Sequence, residues 1–153
     1  MIARIRKTVE EKDKGFTLVE LLVVIAILGI LTAIAVPTFL NQRNKAYDAA
    51  AKSDVANIGR EIATYFVDNS TVTGLDMWSD PSDASNGEWW LGTSETGTRI
   101  LSGTLSKDVT LPGTATDRRE FTSASDWCVA VVSESDDSFH YNQAGPGSGD
   151  CTP

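Results

Sequence analysis

Residues 16–36 (FTLVELLVVIAILGILTAIAV) form a run of 21 residues in which Glu20 is the only ionisable side chain and Thr17 and Thr32 are the only hydroxyls. A helix needs about 20 apolar residues to cross a bilayer, so this run is long enough to span one. A carboxylate at membrane depth costs about 3 kcal/mol unless it is paired. An acid at the fifth position of such a run is therefore by default a functional hypothesis.

Residues 1–15 are charged and lack an apolar core: Arg4, Arg6, Lys7, Lys12 and Lys14 stand against Glu10, Glu11 and Asp13. Such a segment reads as a leader, outside the fold proper. On the far side of the span only Arg43, Lys45 and Lys52 follow within about 20 residues, and this bias predicts a cytoplasmic leader and an exported C-terminal domain. Removing the leader takes the formal net charge from -8 to -10. That surface repels phosphate backbones, so direct bulk binding of nucleic acid is not expected, while a local basic patch on an assembly stays open. The only cysteines, Cys128 and Cys151, lie past the span. An exported compartment permits a bridge between them, worth roughly 3 kcal/mol by loop closure. Two unpaired thiols are the alternative.

Beyond the span the helical pattern continues. Tyr47, Ala51, Val55, Ile58, Ile62 and Tyr65 recur at gaps of 4, 4, 3, 4 and 3, tracing one face of an amphipathic helix. Lys45, Asp48, Lys52, Asn57, Arg60, Glu61 and Asp68 fall on other faces, and Asp48 precedes Lys52 in the favourable i,i+4 order. Pro37 removes one ladder bond within the pattern, so a kink rather than a stop is expected. Asn69-Ser70-Thr71 and Gly74 end the helix. The chain thus divides into a leader (1–15), a membrane and assembly half of the helix (16–36), an amphipathic half (37–69) and a domain (70–153). The second half must lay its apolar stripe on something, and that domain is the candidate.

Residues 70–98 are rich in Ser, Thr, Asp and Gly and are expected to form a long irregular connection, interrupted by Glu88-Trp89-Trp90-Leu91. The Trp pair anchors this segment to the domain or, alternatively, forms a binding surface. Strand signals lie at 99–101, at 108–111 before Pro112-Gly113, at 126–133 and at 138–142, the last two forming a hairpin through 134–137. The tail from 145 to 153 has no regular pattern and depends on the disulfide. The fold class predicted is α+β: a long N-terminal helix packed on a small antiparallel sheet, with a C-terminal disulfide loop.

Gly15, Phe16, Thr17, Leu18 and Glu20 sit at the junction of a charged leader and an apolar span, with Gly29, Pro37 and Asn41-Gln42-Arg43 further on. This arrangement resembles the N-terminus of type IV pilins, closely over residues 12–69 and only in outline over 70–153. The resemblance implies that a prepilin peptidase cuts between Gly15 and Phe16 and that Phe16 is N-methylated. It implies a subunit held in the bacterial cytoplasmic membrane, then polymerised by an assembly platform through its N-terminal helix. The product would be an extracellular pilus, a helical homopolymer serving adhesion, motility or DNA uptake. It also implies partial unwinding of the helix near Gly29 and Pro37 in the filament. Minor pilins share the signature, as do pseudopilins of type II secretion or competence DNA-uptake machines, and these are the alternative.

Glu20 admits two physical readings. Thr17-x-x-Glu20 is a capping-box spacing, in which the acid holds its own helix start. Cleavage would supply a second partner, the new amine of Phe16. That amine sits at the positive end of the helix dipole, where a cation is unfavourable, and a carboxylate from the same or a neighbouring helix neutralises it. A neighbour's amine would then set axial register, since a charge left unpaired in hydrocarbon is costly. Gly29-x-x-x-Ala33, with Ala26 one turn earlier, offers a small-residue face for close helix approach in lipid. Ordinary membrane-helix composition is the alternative for those residues.

Other signals carry little. Asp76, Asp80, Asp83, Asp136 and Asp137 do not match the spacing of a calcium-binding loop and read as solvated loops. Asn69-Ser70-Thr71 matches a glycosylation acceptor without supporting context. His140 is the only histidine and has no partner motif for a triad. With no phosphate loop and no metal-ligand cluster in view, neither a cofactor nor enzymatic activity is expected. Ala33-Ile34-Ala35 imitates a secretory cleavage site, which would leave a secreted acidic domain. Glu20 within the apolar region and the in-phase continuation of the helix argue against that reading.

Overall fold

One helix, α1 (Leu18–Asp68), takes up 51 residues and runs unbroken through Pro37. The computed structural model describes residues 15–70, 74–79, 87–93, 97–112, 121 and 124–151. Residues 1–14 of the leader, Thr71, Asp80 and Asp83 lie outside the described residues. Contacts divide the chain into two units between Asn41 and Gln42.

In the second unit, α1 is followed by β1 (Asp76–Ser79), β2 (Glu88–Gly92), β3 (Arg99–Thr104), β4 (Val109–Thr110), β5 (Cys128–Ser133), β6 (Ser138–Asn142) and β7 (Gly145–Ser148). They form two antiparallel sheets, in spatial order β1-β2-β3 and β4-β5-β6-β7. The fold is α+β as predicted, with two sheets where one was expected. Two strands lie where irregular chain was expected. β1 pairs with β2, matching Met77 to Leu91 and Trp78 to Trp90. β7 pairs with β6 within the tail, matching Pro146 to Tyr141, and proline is tolerated there because β7 is an edge strand.

The apolar stripe of α1 faces the sheets. Ala51, Val55, Ile58, Gly59, Ile62 and Phe66 are buried. Phe66, one position past the expected Tyr65, takes the last buried place, and Tyr47 and Tyr65 are half-buried. The first sheet contributes Met77, Trp89 and Leu91 to the same core, and the second contributes Val129, Val131 and Phe139. Strand alternation sends Trp90 to the opposite face from Trp89. It is covered there, with the Arg99 guanidinium 4.3 Å over its ring and Arg99 paired to Glu88 at 3.4 Å. The Trp pair therefore anchors the segment from both faces.

The expected Asp48–Lys52 pair does not form. Asp48 Oδ1 instead accepts hydrogen bonds from Ser133 Oγ at 2.9 Å and from Ser135 Oγ. The Lys52 ammonium lies 4.7 Å over the Phe139 ring. The reason is tertiary: Ser133 is buried, at 3% exposure, and its hydroxyl needs a partner more than a solvated helix face needs an ion pair. Asp54 acts likewise, accepting from the Ser106 amide at 2.6 Å and its hydroxyl at 2.9 Å. Two carboxylates of α1 thus hold the β3–β4 connection and the β5–β6 turn.

The Cys128–Cys151 disulfide joins the first residue of β5 to the tail across 23 residues. Replacing both cysteines with serine should lower the stability of this unit by about 3 kcal/mol, read as a lower urea midpoint. An unchanged midpoint would mean that β7 pairing alone secures the tail.

Candidate functional site

The described part of the first unit is the apolar half of α1, and its side chains are exposed. Every residue from Gly15 to Ala46 is exposed, with apolar examples from Val23 at 47% to Phe16 at 91%. The stretch is long and apolar enough to cross a membrane by length and composition. Apolar side chains exposed along this whole length need lipid or other helices around them.

At its start, Thr17 and Glu20 form a reciprocal cap. Glu20 Oε2 accepts from the Thr17 amide at 2.9 Å and from the Thr17 hydroxyl at 2.8 Å, while the Glu20 amide donates to Thr17 Oγ1 at 3.2 Å. Both donors use the same carboxylate oxygen, and no described group donates to Oε1. Gly15 and Phe16 precede the helix in non-helical, exposed chain. The capping spacing read in the sequence is therefore realised, and it leaves half the carboxylate open to a further donor.

The other polar groups of the span are satisfied internally, as a lipid setting requires. The Thr32 hydroxyl donates to the Leu28 carbonyl at 2.6 Å and lies 3.2 Å from that of Gly29. Thr38, not singled out from sequence, donates to the Ile34 carbonyl at 3.0 Å. Its signal was available: a hydroxyl four residues after a carbonyl in an apolar helix has that bond within reach. Pro37 has no N–H, so the Ala33 carbonyl loses its ladder donor. Gly29, Ala33 and Pro37 are exposed, and a Cβ built on Gly29 meets nothing within 4 Å. Packing within this chain therefore does not require glycine there.

Among the described residues no group of His, Cys, Asp and Glu is placed to hold a metal ion. His140 Nδ1 lies 3.1 Å from the Gly149 carbonyl, tying β6 to the tail. Asn69 turns its amide back to the Tyr65 carbonyl at 3.0 Å, capping the end of α1.

Comparison with known proteins points to the same N-terminal region. The family model of the prokaryotic N-terminal methylation motif matches residues 12–36. Type II secretion system core protein G of Dickeya chrysanthemi is 39% identical over 61 residues, 40% of either chain. Type IV major pilin protein PilA of Myxococcus xanthus is 36% identical over 69 residues, 45% of this chain and 29% of that one. Type IV major fimbrial protein FimA of Dichelobacter nodosus is 32% identical over 84 residues, 55% of this chain and 54% of its own length. The chain spans about half the length of most of the curated relatives it matches. No solved structure matches.

Proposed function

We infer the role of this chain from its membership, through its N-terminal segment, of the type IV pilin and pseudopilin superfamily: it is the structural subunit of a type IV pilus. It is made as a prepilin and inserted in the membrane by its apolar helix. A peptidase cleaves it between Gly15 and Phe16, and the new amine of Phe16 is methylated. An assembly platform then polymerises it through α1 into a surface filament. Before assembly the basic leader faces the cytoplasm and the sheet-bearing unit faces outward.

The observation that carries this reading is the exposed apolar half of α1 with its half-open carboxylate at the start. A lone membrane anchor gains nothing from an acid at that depth. A subunit whose neighbour brings an amine does. Gly29 and Ala33, unused within the chain, are the positions where neighbouring helices approach most closely, and Pro37 supplies the weakened turn at which the helix can adjust.

The test is the intact mass of protein sheared from the cell surface. The mass should correspond to a chain starting at Phe16, with one added methyl group and with Cys128 and Cys151 oxidised. A chain starting at Met1, or one following Ala35, would sink the reading. A pseudopilin role is the second reading, favoured by the similarity to the secretion-system core proteins. Abundance separates the two, because a major pilus subunit dominates sheared filaments and a pseudopilin is scarce in them.

A further inference from the structure

The charges of α1 beyond Asn41 do not divide as their spacing in sequence suggests. From Gln42 to Arg60 the helix carries four bases, Arg43, Lys45, Lys52 and Arg60, and two acids, Asp48 and Asp54. Both acids are turned toward the sheets by their hydrogen bonds to Ser133, Ser135 and Ser106. All four bases are exposed, as are Ala46, Ala49, Ser53 and Asn57 between them. At 3.6 residues per turn Lys45, Lys52 and Arg60 fall within about 80° of one another around α1, a cationic strip of about four turns, while Arg43 lies on the opposite side from Lys52 and the exposed acid Glu61 follows Arg60 outside the strip.

Nothing described within the chain cancels this charge. Arg43 and Lys52 rest against the rings of Tyr47 and Phe139, at 5.2 Å and 4.7 Å, contacts that leave their positive charge in place. Lys45 and Arg60 make no ion pair among the described residues. The rest of the chain has the opposite character, with four bases against thirteen acids in residues 69–153. Among the described residues the densest exposed acids are Glu134, Asp136 and Asp137 in the β5–β6 turn. That turn is held to its own helix through Ser133 and Ser135, and its three carboxylates make no ion pair among the described residues.

We propose that the cationic side of α1 seats the acidic β5–β6 turn of a second copy of this chain. The inference rests on the filament reading and names a contact outside the membrane half. An open helical polymer is built from heterologous contacts, in which two different patches of one subunit meet on neighbouring copies. This unit carries two such patches of opposite sign. A chain of net charge -10 after processing repels its own copies unless the acids of one meet the bases of the next. Ala46, Ala49 and Ser53 between the bases are small enough to let a hairpin tip approach the helix backbone. A phosphate polymer or an anionic bilayer would suit the same cations, but neither explains the matching acids on the same unit.

The test uses the full-length chain in a filament-producing host. Lys45→Glu with Arg60→Glu reverses two exposed bases that make no ion pair or ring contact among the described residues. Leader cleavage and membrane level should be unchanged, while sheared filament falls on the order of tenfold, since single exposed pairs are weak and two are reversed at every subunit addition. Adding Glu134→Lys and Asp137→Lys should restore at least half of the parental yield. Undiminished filament from the first variant, or no recovery in the second, overturns the inference and leaves the filament reading standing. So does parental filament yield combined with lost binding of duplex DNA or of vesicles containing anionic lipid, which would assign the face to phosphate. No filament from the parent chain itself overturns the filament reading and this inference together.

Discussion

A strain carrying Glu20→Ala should accumulate cleaved, membrane-inserted subunit and no surface filament. Removing the acid takes away its cost of about 3 kcal/mol in the bilayer, so insertion is unharmed or improved. Gly15 and Phe16 are intact, so processing continues. On the proposed pairing, what disappears is the carboxylate that receives a neighbour's Phe16 amine. Every subunit addition would use that contact, and a defect in a heterologous polymer contact is repeated along its whole length. The cap seen at Thr17 is the rival explanation, because the same carboxylate oxygen accepts both Thr17 donors. Loss of a cap costs about 1 kcal/mol, an amount that a helix surrounded by lipid absorbs.

Glu20→Gln separates the two. Glutamine can serve in a capping box as well as glutamate but carries no charge to meet an amine. The pairing role predicts loss of filament in both variants. A capping role predicts near-parental filament from the glutamine variant, and that result would reduce Glu20 to a helix cap.

What was legible in the sequence depended on whether a signal was local. The helix is, because periodicity over Ala51, Val55, Ile58 and Ile62 repeats a constraint every turn, and the buried face follows it. β6 was legible at Ser138–Asn142, where an alternating aromatic run adjoins a turn. β1 and β7 were not. Asp76–Ser79 is four residues long and Gly145–Ser148 is mostly glycine and proline, so each is a strand because of its partner's ladder and not its own composition. Local rules gave Asp48 to Lys52, one turn away, and a buried serine 85 residues on claimed it. The cationic side of α1 was hidden for the same reason: it becomes visible only once both helix acids are known to turn inward. The Thr17–Glu20 box was legible because both partners lie within one turn, whereas a neighbour's amine entered the reading only through the cleavage that the resemblance implies.

Gly59 illustrates how far a local rule can mislead, and its substitution should reverse the sign that helix propensity assigns. Glycine inside a helix is about 1 kcal/mol worse than alanine, so Gly59→Ala in the interior of α1 reads as a stabilising change. In the fold, Gly59 faces β6. A Cβ there would lie 2.2 Å from Tyr141 Cγ, 2.3 Å from Cδ1 and 2.7 Å from Cβ. Movement of the phenol tip cannot relieve that overlap, because the atoms struck are the root of the side chain, fixed to the strand. Nor is the ring free to swing away: Tyr141 stacks on Trp127 at 6.0 Å, and Trp127 on Phe66 at 6.2 Å. Helix and sheet must therefore separate or the aromatic stack must break, and overpacking of this kind costs roughly 1–3 kcal/mol. The expected net effect of Gly59→Ala is a loss of about 2 kcal/mol once the propensity gain is set against the upper part of that range. It should appear as a lower urea midpoint for the disulfide-intact protein. Tyr141→Ala in the same background should cost less than it does alone, because it removes the atoms that the added methyl group strikes, and such non-additivity is the mark of direct contact. A raised midpoint for Gly59→Ala, or strict additivity with Tyr141→Ala, would mean that this glycine does not set the distance between helix and sheet.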